Sequence, residues 1–156
     1  MKALEFRITD IPQDQMYYER IKLDAGEIGL EIDGVEFISP IECFVNLIRE
    51  RNMIFASVEA SVDVEMECRR CLSRFKIKIS THFDYQYKKT DNPEKLRSEF
   101  LAPLDTRYYM ESTLSLAEDV RQAIVLEVPI WPLCSKECKG LCQKCGQNLN
   151  EEVCDC

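Results

Sequence analysis

The sequence predicts an α+β fold in which an antiparallel β-sheet built around one long hairpin is followed by a C-terminal helix and a small cysteine-rich tail. Apolar and polar residues alternate through two consecutive runs within residues 57–88. An amphipathic helical pattern occupies residues 116–128, and six of the last 23 residues are cysteines. Strict alternation is typical of half-buried strands, whereas the tail has too few apolar residues to form a core. The expected division is an α+β domain at residues 1–130 and the tail at residues 131–156.

The hairpin is predicted by its cross-strand pairs as well as by its alternation. The apolar positions are Val58, Ala60, Val62, Val64, Met66 and Cys68 in the first run, and Phe75, Ile77, Ile79, Thr81, Phe83, Tyr85 and Tyr87 in the second. If Arg69 and Arg70 form the tip, apolar residues face apolar ones and acids face bases. The expected pairs are Val64 with Phe75, Val62 with Ile77, Glu65 with Arg74, and Asp63 with Lys76. Residues 41–49 are a candidate third strand beside the hairpin.

The remaining elements are predicted from start and stop signals. Residues 116 to about 128 form the best helix candidate, with Ser115 as the N-cap, Glu118 completing a capping box and Pro129 enforcing the stop. Its apolar face carries Leu116, Val120, Ala123 and Ile124 and is expected to pack on the sheet, with Glu127 on the same side. A short helix is expected after Asn92 and Pro93, within a polar connection at residues 91–103. Residues 2–8 and 17–23 are strand-like.

Nine cysteines indicate the class of protein. The first residues lack the apolar run of a secretory signal, and no apolar stretch approaches the roughly 20 residues of a membrane helix. We therefore expect a cytoplasmic protein with no membrane partner. In a reducing compartment, clustered thiols are better explained by metal binding than by disulfides.

The cysteine spacing predicts two four-thiolate zinc sites. The thiols occur as Cys68-x2-Cys71, Cys134-x3-Cys138-x3-Cys142-x2-Cys145 and Cys154-x-Cys156. A C-x2-C turn directs two sulfurs at one ion, and a residue with positive φ, here Gly146, is expected after the second ligand. The favoured assignment joins Cys142, Cys145, Cys154 and Cys156 locally, and joins Cys68 and Cys71 to Cys134 and Cys138. Four protein ligands leave no open position for water, which disfavours catalysis at the metal.

Other readings of the cysteines stay open at this stage. Four thiolates can also hold a structural iron–sulfur cluster. The spacing Cys138-x3-Cys142-x2-Cys145 is that of radical enzymes, but only 11 residues follow it here, where such an enzyme needs a large barrel. A thioredoxin-like redox pair at Cys68 and Cys71 would open a helix, whereas this pair is expected at a hairpin turn.

The distribution of charge limits where the protein could bind nucleic acid. The chain has a net charge of −8, which gives no general attraction to phosphate. Residues 69–89 nevertheless carry a local charge of +6. Arg74 and Lys76 are expected to pair with hairpin acids, whereas the basic residues without assigned partners are candidates for RNA contact. These candidates are Arg69, Arg70, Lys88 and Lys89.

Catalytic patterns are absent from the sequence. It contains no glycine-rich phosphate loop and no serine–histidine–aspartate or cysteine–histidine arrangement. The single histidine, His82, is expected on the surface of a strand, and Cys43 is expected in the core. We therefore predict that the protein is not an enzyme, and the sequence identifies no small-molecule substrate.

Three segments together resemble the YceD family, whose bacterial and plastid members are linked to the accumulation of large-subunit ribosomal RNA. They are Cys68-Arg-Arg-Cys71-Leu-Ser-Arg-Phe75, Leu126-Glu-Val-Pro-Ile130, and Pro132-Leu-Cys134-Ser-Lys-Glu-Cys138-Lys-Gly-Leu-Cys142-Gln-Lys-Cys145-Gly-Gln-Asn-Leu-Asn150. The resemblance is clear over residues 57–156 and vague over the first 40. It implies no established catalytic activity. Some members lack the tail cysteines, which implies that metal there supports structure.

The function that we expect is a non-enzymatic role in ribosome biogenesis and rRNA accumulation, through binding to ribosomal RNA or to an assembling large-subunit ribosomal protein. Two alternatives remain. A thiol redox or metal-trafficking protein would hold its metal loosely and oxidise reversibly. An RNA-processing enzyme would need converging carboxylates such as Asp63, Glu65 and Glu67, which are better explained as pairing partners in the hairpin.

Overall fold

The computed structural model describes residues 3–97 and 105–156, which form eight strands and two helices together with two short 3-10 turns. The strands are β1 (Glu5–Arg7), β2 (Met16–Leu23), β3 (Val35–Phe37), β4 (Ile41–Glu50), β5 (Met53–Glu67), β6 (Arg74–Lys89), β7 (Thr106–Tyr109) and β8 (Thr113–Ser115). The helices are α1 (Pro93–Arg97) and α2 (Ala117–Glu127), and the 3-10 turns are Ile8–Asp10 and Ala25–Ile28. The predicted α+β class is therefore confirmed.

One large sheet organises the fold. Its strand order is β2-β4-β5-β6-β7, and β3 pairs with β5 beyond the end of β4. Every neighbour in this sheet is antiparallel except β7, which runs parallel to β6. The candidate third strand at residues 41–49 is confirmed as β4. A separate pair, β1 with β8, joins the N-terminal segment to the chain just before α2.

The core lies on one face of the sheet. Alternate residues of β5 from Ile54 to Met66 are buried, as the period-two pattern predicts. Helix α2 covers this face with Val120 and Ile124, both 0% exposed. Cys43 is also in this core, where burial raises the pKa of its thiol to about 12. Its predicted role as a small core residue is confirmed.

The predicted hairpin forms, but its register was wrong by two residues. Val64 faces Ile77, Met66 faces Phe75, Glu65 faces Lys76, and Asp63 faces Lys78. The connection is longer than a two-residue tip, because the Cys68 amide donates to the Ser73 carbonyl (2.9 Å) and residues 68–73 all belong to the turn. Because a shift of two preserves the strand period, each side chain keeps its predicted face.

The shift changes one expected ion pair and keeps the other. Arg74 still reaches Glu65 diagonally, with 3.0 Å between Nη2 and Oε2. Asp63 pairs with Lys78 at 3.6 Å, where the sequence had suggested Lys76. His82 is exposed beside Asp84, as expected for a surface residue.

The predicted capping box of α2 was wrong. Ser115 is the last residue of β8, and the N-cap is Leu116, which makes no side-chain cap. The Leu116 amide instead donates to the Leu4 carbonyl (3.0 Å), and Glu118 accepts hydrogen bonds from Arg121. Ser115, which the local sequence predicted to be the N-cap, therefore pairs in a strand instead, because tertiary contacts override local preference.

Most of the other local predictions are confirmed where the structure describes them, but the strand predicted at residues 2–8 is limited to Glu5–Arg7. Helix α2 ends at Glu127, two residues before Pro129. Asn92 precedes α1 and accepts a hydrogen bond from the Glu94 amide (2.9 Å). Lys2 and residues 98–103 of the predicted connection lie outside the described residues. Neither described helix is long and apolar enough to cross a membrane.

Candidate metal centres

The hairpin connection and the start of the tail bring four thiols together. In this group, named cluster I, the sulfurs of Cys68 and Cys138 are 3.7 Å apart, as are those of Cys71 and Cys134. All four sulfurs lie within 4.8 Å of one another. Because 63 residues separate Cys71 from Cys134, cluster I ties two distant parts of the chain together.

The remaining four tail cysteines form a second, local group, named cluster II. The Cys154 sulfur is 3.4 Å from that of Cys142 and 3.3 Å from that of Cys145, and the Cys156 sulfur completes the set within the same 4.8 Å limit. The two groups contain the cysteines that the favoured assignment from spacing had joined.

The sulfur separations suit tetrahedral metal. Zinc–thiolate bonds of about 2.3 Å place neighbouring sulfurs about 3.8 Å apart in a tetrahedron. The separations of 3.7 Å in cluster I match this value, and those of 3.3–3.4 Å in cluster II are slightly shorter. A disulfide would need about 2.05 Å, and all nine cysteines are free. The residues present therefore fit two four-thiolate sites.

Both C-x2-C turns have the same backbone hydrogen bonds, although they lie in different parts of the chain. The Cys68 amide donates to the Ser73 carbonyl and the Leu72 amide donates to the Cys68 carbonyl, each at 2.9 Å. In the second turn the Cys142 amide donates to Gln147 and the Gly146 amide donates to Cys142, each at 2.8 Å. This repeated geometry is that of a metal-binding knuckle.

The residue after the second cysteine has positive φ in both knuckles. Gly146 has φ +77°, which confirms the prediction made for it. Leu72 occupies the matching position with φ +60°, in a region that non-glycine residues rarely adopt. The repeated C-x2-C spacing indicated that the two positions are equivalent, but a leucine at position 72 gave no indication of a positive φ.

The two clusters differ in burial, and hydrogen bonding in cluster II favours the thiolate form of Cys142. Cys68, Cys71 and Cys138 are buried, whereas Cys145 and Cys156 of cluster II are exposed. Hydrogen bonds from the backbone N–H groups of Cys145 and Lys144 lower the pKa of the Cys142 thiol to about 6. At neutral pH this sulfur is therefore the anion that a metal ion requires.

Polar contacts around cluster I attach the tail to the hairpin. The Arg69 amide donates to the Pro132 carbonyl (2.9 Å), and Arg70 Nη1 donates to the Cys138 carbonyl (3.0 Å). Asn150 Nδ2 donates to the Cys138 sulfur (3.3 Å), a contact that sequence reasoning missed because nothing in the spacing marks an asparagine. These contacts orient the thiols from outside the ligand set.

Gly140 lies where the tail crosses the hairpin connection. Its φ is +75°, and a Cβ added there would be 3.3 Å from the Arg70 carbonyl oxygen. We expect Gly140→Ala to destabilise the protein by about 2–3 kcal/mol, since left-handed strain of about 1–2 kcal/mol adds to the displacement of backbone in the knuckle. Denaturant unfolding of the metal-loaded protein measures this loss.

Gly146→Ala is the matched control for that substitution. Gly146 has nearly the same φ of +77°, but an added Cβ would meet nothing within 4 Å. We expect it to cost about 1–2 kcal/mol from backbone strain alone. Equal losses for the two variants would show that the contact between Gly140 and Arg70 contributes nothing.

The four candidate RNA contacts do not form one patch. Arg69 and Arg70 lie in the hairpin connection, whereas Lys88 and Lys89 lie at the far end of β6, about 50 Å away along a 16-residue strand. Arg70 is engaged with Cys138, and the Arg69 guanidinium lies 6.0 Å from the ring centre of Trp131. Trp131 was missed by sequence reasoning. The RNA-contacting roles stay a prediction.

Comparison with known proteins relates the chain to one protein family. The model of the family described as "Large ribosomal RNA subunit accumulation protein YceD" matches residues 56–156, which contain both clusters and the hairpin except for the first three residues of β5. The chain is 42% identical to the chloroplast large ribosomal RNA subunit accumulation protein YCED homolog 1 of Arabidopsis thaliana over 43 residues, which are 28% of the chain and 13% of that protein.

Two mycobacterial relatives match over longer stretches. An uncharacterised protein of Mycobacterium leprae is 26% identical over 126 residues, and one of Mycobacterium tuberculosis strain H37Rv is 27% identical over 131 residues. These matches cover 78% and 80% of the chain but only 55% and 59% of the relatives, so the chain spans little more than half of their length. No solved structure matches the chain.

The family match covers well over half of the chain and begins at residue 56, within β5. It includes both knuckles, the helix α2 and every cysteine of the two clusters. The resemblance found in the motifs is thereby confirmed: the chain belongs to the YceD family.

Proposed function

We propose that this protein is a non-enzymatic factor that supports accumulation of large-subunit ribosomal RNA during ribosome biogenesis, and that it binds ribosomal RNA or an assembling ribosomal protein. The observation that carries the proposal is the family match, which spans the hairpin and both clusters together. The family is named for accumulation of this RNA, and the Arabidopsis relative carries the same name. We propose a cytoplasmic location for this role.

Zinc in both clusters is part of the proposal. Cys68, Cys71, Cys134 and Cys138 would hold one ion, and Cys142, Cys145, Cys154 and Cys156 would hold the other. Zinc bound by four thiolates supplies structural cross-linking, because no coordination position is left for water or substrate. The tail at residues 131–156 would then be fastened to the domain at residues 1–130 through cluster I.

The charges favour a basic protein as the partner over RNA at the hairpin connection. Four thiolates and one zinc ion sum to a formal charge of about −2, so two such sites add negative charge beside the basic stripe. Arg74 is paired with Glu65, and Arg70 is bound to the Cys138 carbonyl. Ion pairs of Arg74 and Lys78, together with the two negatively charged sites, would therefore offset part of the local +6 charge and weaken its attraction for phosphate at the hairpin connection.

The hairpin carboxylates support a non-enzymatic role. Asp63 is paired with Lys78 and Glu65 with Arg74 on the face of the sheet away from the core. Glu67 faces Arg74 in the strand register, although the ion pairs of Arg74 are with Glu65 and Glu36. Carboxylates arranged as cross-strand partners stabilise the sheet, whereas a metal-dependent nuclease needs them to converge on one point.

The proposal is tested in a bacterium from which its own family member has been deleted. We expect the ratio of large-subunit to small-subunit rRNA to fall on deletion and to recover when this chain is expressed. Purified ribosomal precursors from the same cells should contain the protein. An unchanged rRNA ratio, with no protein on the precursors, would contradict the proposed function.

A further inference from the structure

A groove of about 660 Å³ runs between the end of the hairpin nearest the tail and the segment that leaves α2. Its apolar walls are formed by Val35 and Met66 on the hairpin side and by Val125, Val128 and Ile130 on the other. The groove lies wholly among described residues, and it adjoins cluster I through Arg69 and Pro132.

The helix side of the groove exposes apolar side chains. Of the lining residues, Ile130 is 95% exposed and Val125 is 41% exposed. Trp131 lies beside the groove, between the lining residues Ile130 and Pro132, and is 64% exposed. Exposed apolar side chains that gather at a concave surface mark a site of interaction more often than isolated ones do.

The exposed segment is held in place by the hairpin connection. The Arg69 amide donates to the Pro132 carbonyl (2.9 Å), and the Arg69 guanidinium lies over the Trp131 ring. Leu133, two residues further on, packs against the buried thiols of cluster I. Ile130 and Trp131 are therefore displayed by contacts that depend on the same hairpin connection as cluster I.

The groove is lined by more acidic than basic side chains. Asp33, Glu36 and Glu67 line it, against Arg69 and Arg74. Arg74 is already bound by Glu36, with 2.8 Å between Nη2 and Oε2. Among the described residues, neither Asp33 nor Glu67 makes an ion pair. An occupant of this groove would therefore meet apolar walls, two carboxylates that make no ion pair in the described part of the chain, and the Arg69 guanidinium, which lies over the Trp131 ring.

We propose that this groove binds a polypeptide segment that carries Lys or Arg beside an apolar anchor. The apolar anchor would cover Val125 and Ile130, and the cation would pair with Asp33 or Glu67. The inference rests on the proposed function, because it identifies the assembling ribosomal protein as the partner at this surface. Phosphate would be repelled by the same carboxylates, which disfavours RNA here.

Trp131 provides the measurement, because it is the only tryptophan in the chain. Fluorescence of the metal-loaded full chain is titrated with 15-residue peptides that tile the proteins of a bacterial large ribosomal subunit. We expect the binding peptides to be basic with an apolar anchor, and to shift the Trp131 emission to shorter wavelength on binding.

Variants of the lining residues separate the apolar contribution to peptide affinity from the electrostatic one. Ile130→Ala is expected to weaken the binding peptides about tenfold by removing apolar contact. The double change Asp33→Asn and Glu67→Gln is expected to weaken them about fivefold at low salt and to flatten the salt dependence. Leu126→Ala is the matched control, since Leu126 is 83% exposed on α2 but does not line the groove. This variant should bind the same peptides with unchanged affinity.

Three results would overturn the proposal. If no tiled peptide binds Ile130→Ala more weakly than it binds the wild type, the groove is not a peptide-binding site. Tighter binding of oligouridine RNA than of any peptide, lost in Ile130→Ala, would assign the surface to nucleic acid. Self-association abolished by Ile130→Ala would assign it to a second copy. In each case the rRNA ratio in complemented cells tests the proposed function separately.

Discussion

Replacing Cys138 with serine is expected to reduce bound zinc from about two ions per chain to about one and to detach the tail from the hairpin. Cys138 is buried in cluster I, with its sulfur 3.7 Å from that of Cys68. Structural zinc contributes about 10–16 kcal/mol of binding free energy in small zinc-finger peptides, and that free energy supports folding. Because the tail has little apolar core of its own, we expect a loss of several kcal/mol in stability.

Elemental analysis of the purified variant measures the zinc, and limited proteolysis measures the release of the tail. Cys156→Ser is the matched control, since Cys156 is an exposed member of cluster II. It is also expected to lose about one ion, but the contacts of Arg69 and Arg70 with the tail should survive, and so should resistance to cleavage between residues 129 and 138. Retention of two ions by Cys138→Ser, or identical cleavage of both variants, would contradict the role assigned to cluster I.

Replacing Ile124 with alanine is expected to lower the free energy of unfolding by about 2–5 kcal/mol. Ile124 is 0% exposed and lies on the face of α2 that packs against the sheet. Removing its side chain leaves a cavity that the surrounding strands cannot fill without shifting, because protein interiors are closely packed. Urea unfolding gives the change as a lower midpoint with an unchanged slope.

Leu126→Ala on the same helix is the control for that substitution. Leu126 is 83% exposed, so its replacement should change stability by no more than about 0.5 kcal/mol. Similar losses at the two positions would mean that α2 does not bury the face carrying Ile124. A loss confined to Ile124→Ala would support the packing of the helix on β5 and β6.

Much of the fold could be predicted because the signals are local and periodic. Alternation from Val58 to Met66 identified one strand and its buried face, and the C-x2-C spacing identified two knuckles. The register could not be obtained this way, because a shift of two residues leaves every side chain on the same face and the pairing of apolar with apolar residues nearly as good. The length of the knuckle turn, closed by Cys68 and Ser73, decided it.

The prediction that Ser115 caps α2 was wrong for a related reason. The Ser115 signal is local and worth about 1 kcal/mol, and it lost to pairing between β8 and the N-terminal strand β1. Neither the contact of Asn150 with Cys138 nor the exposure of Trp131 leaves a periodic trace, so these features had no sequence signal.

By itself, the sequence determined the strand faces, the class of the fold, the two C-x2-C turns and the family. These properties depend on residue type and on short repeats, which the unfolded chain already contains. Only the tertiary structure decided the hairpin register, the attachment of the tail through cluster I, and the groove beside Ile130. Each of these depends on contacts between residues far apart in the chain, such as the 63-residue separation of Cys71 and Cys134, and such contacts exist only once the chain is folded.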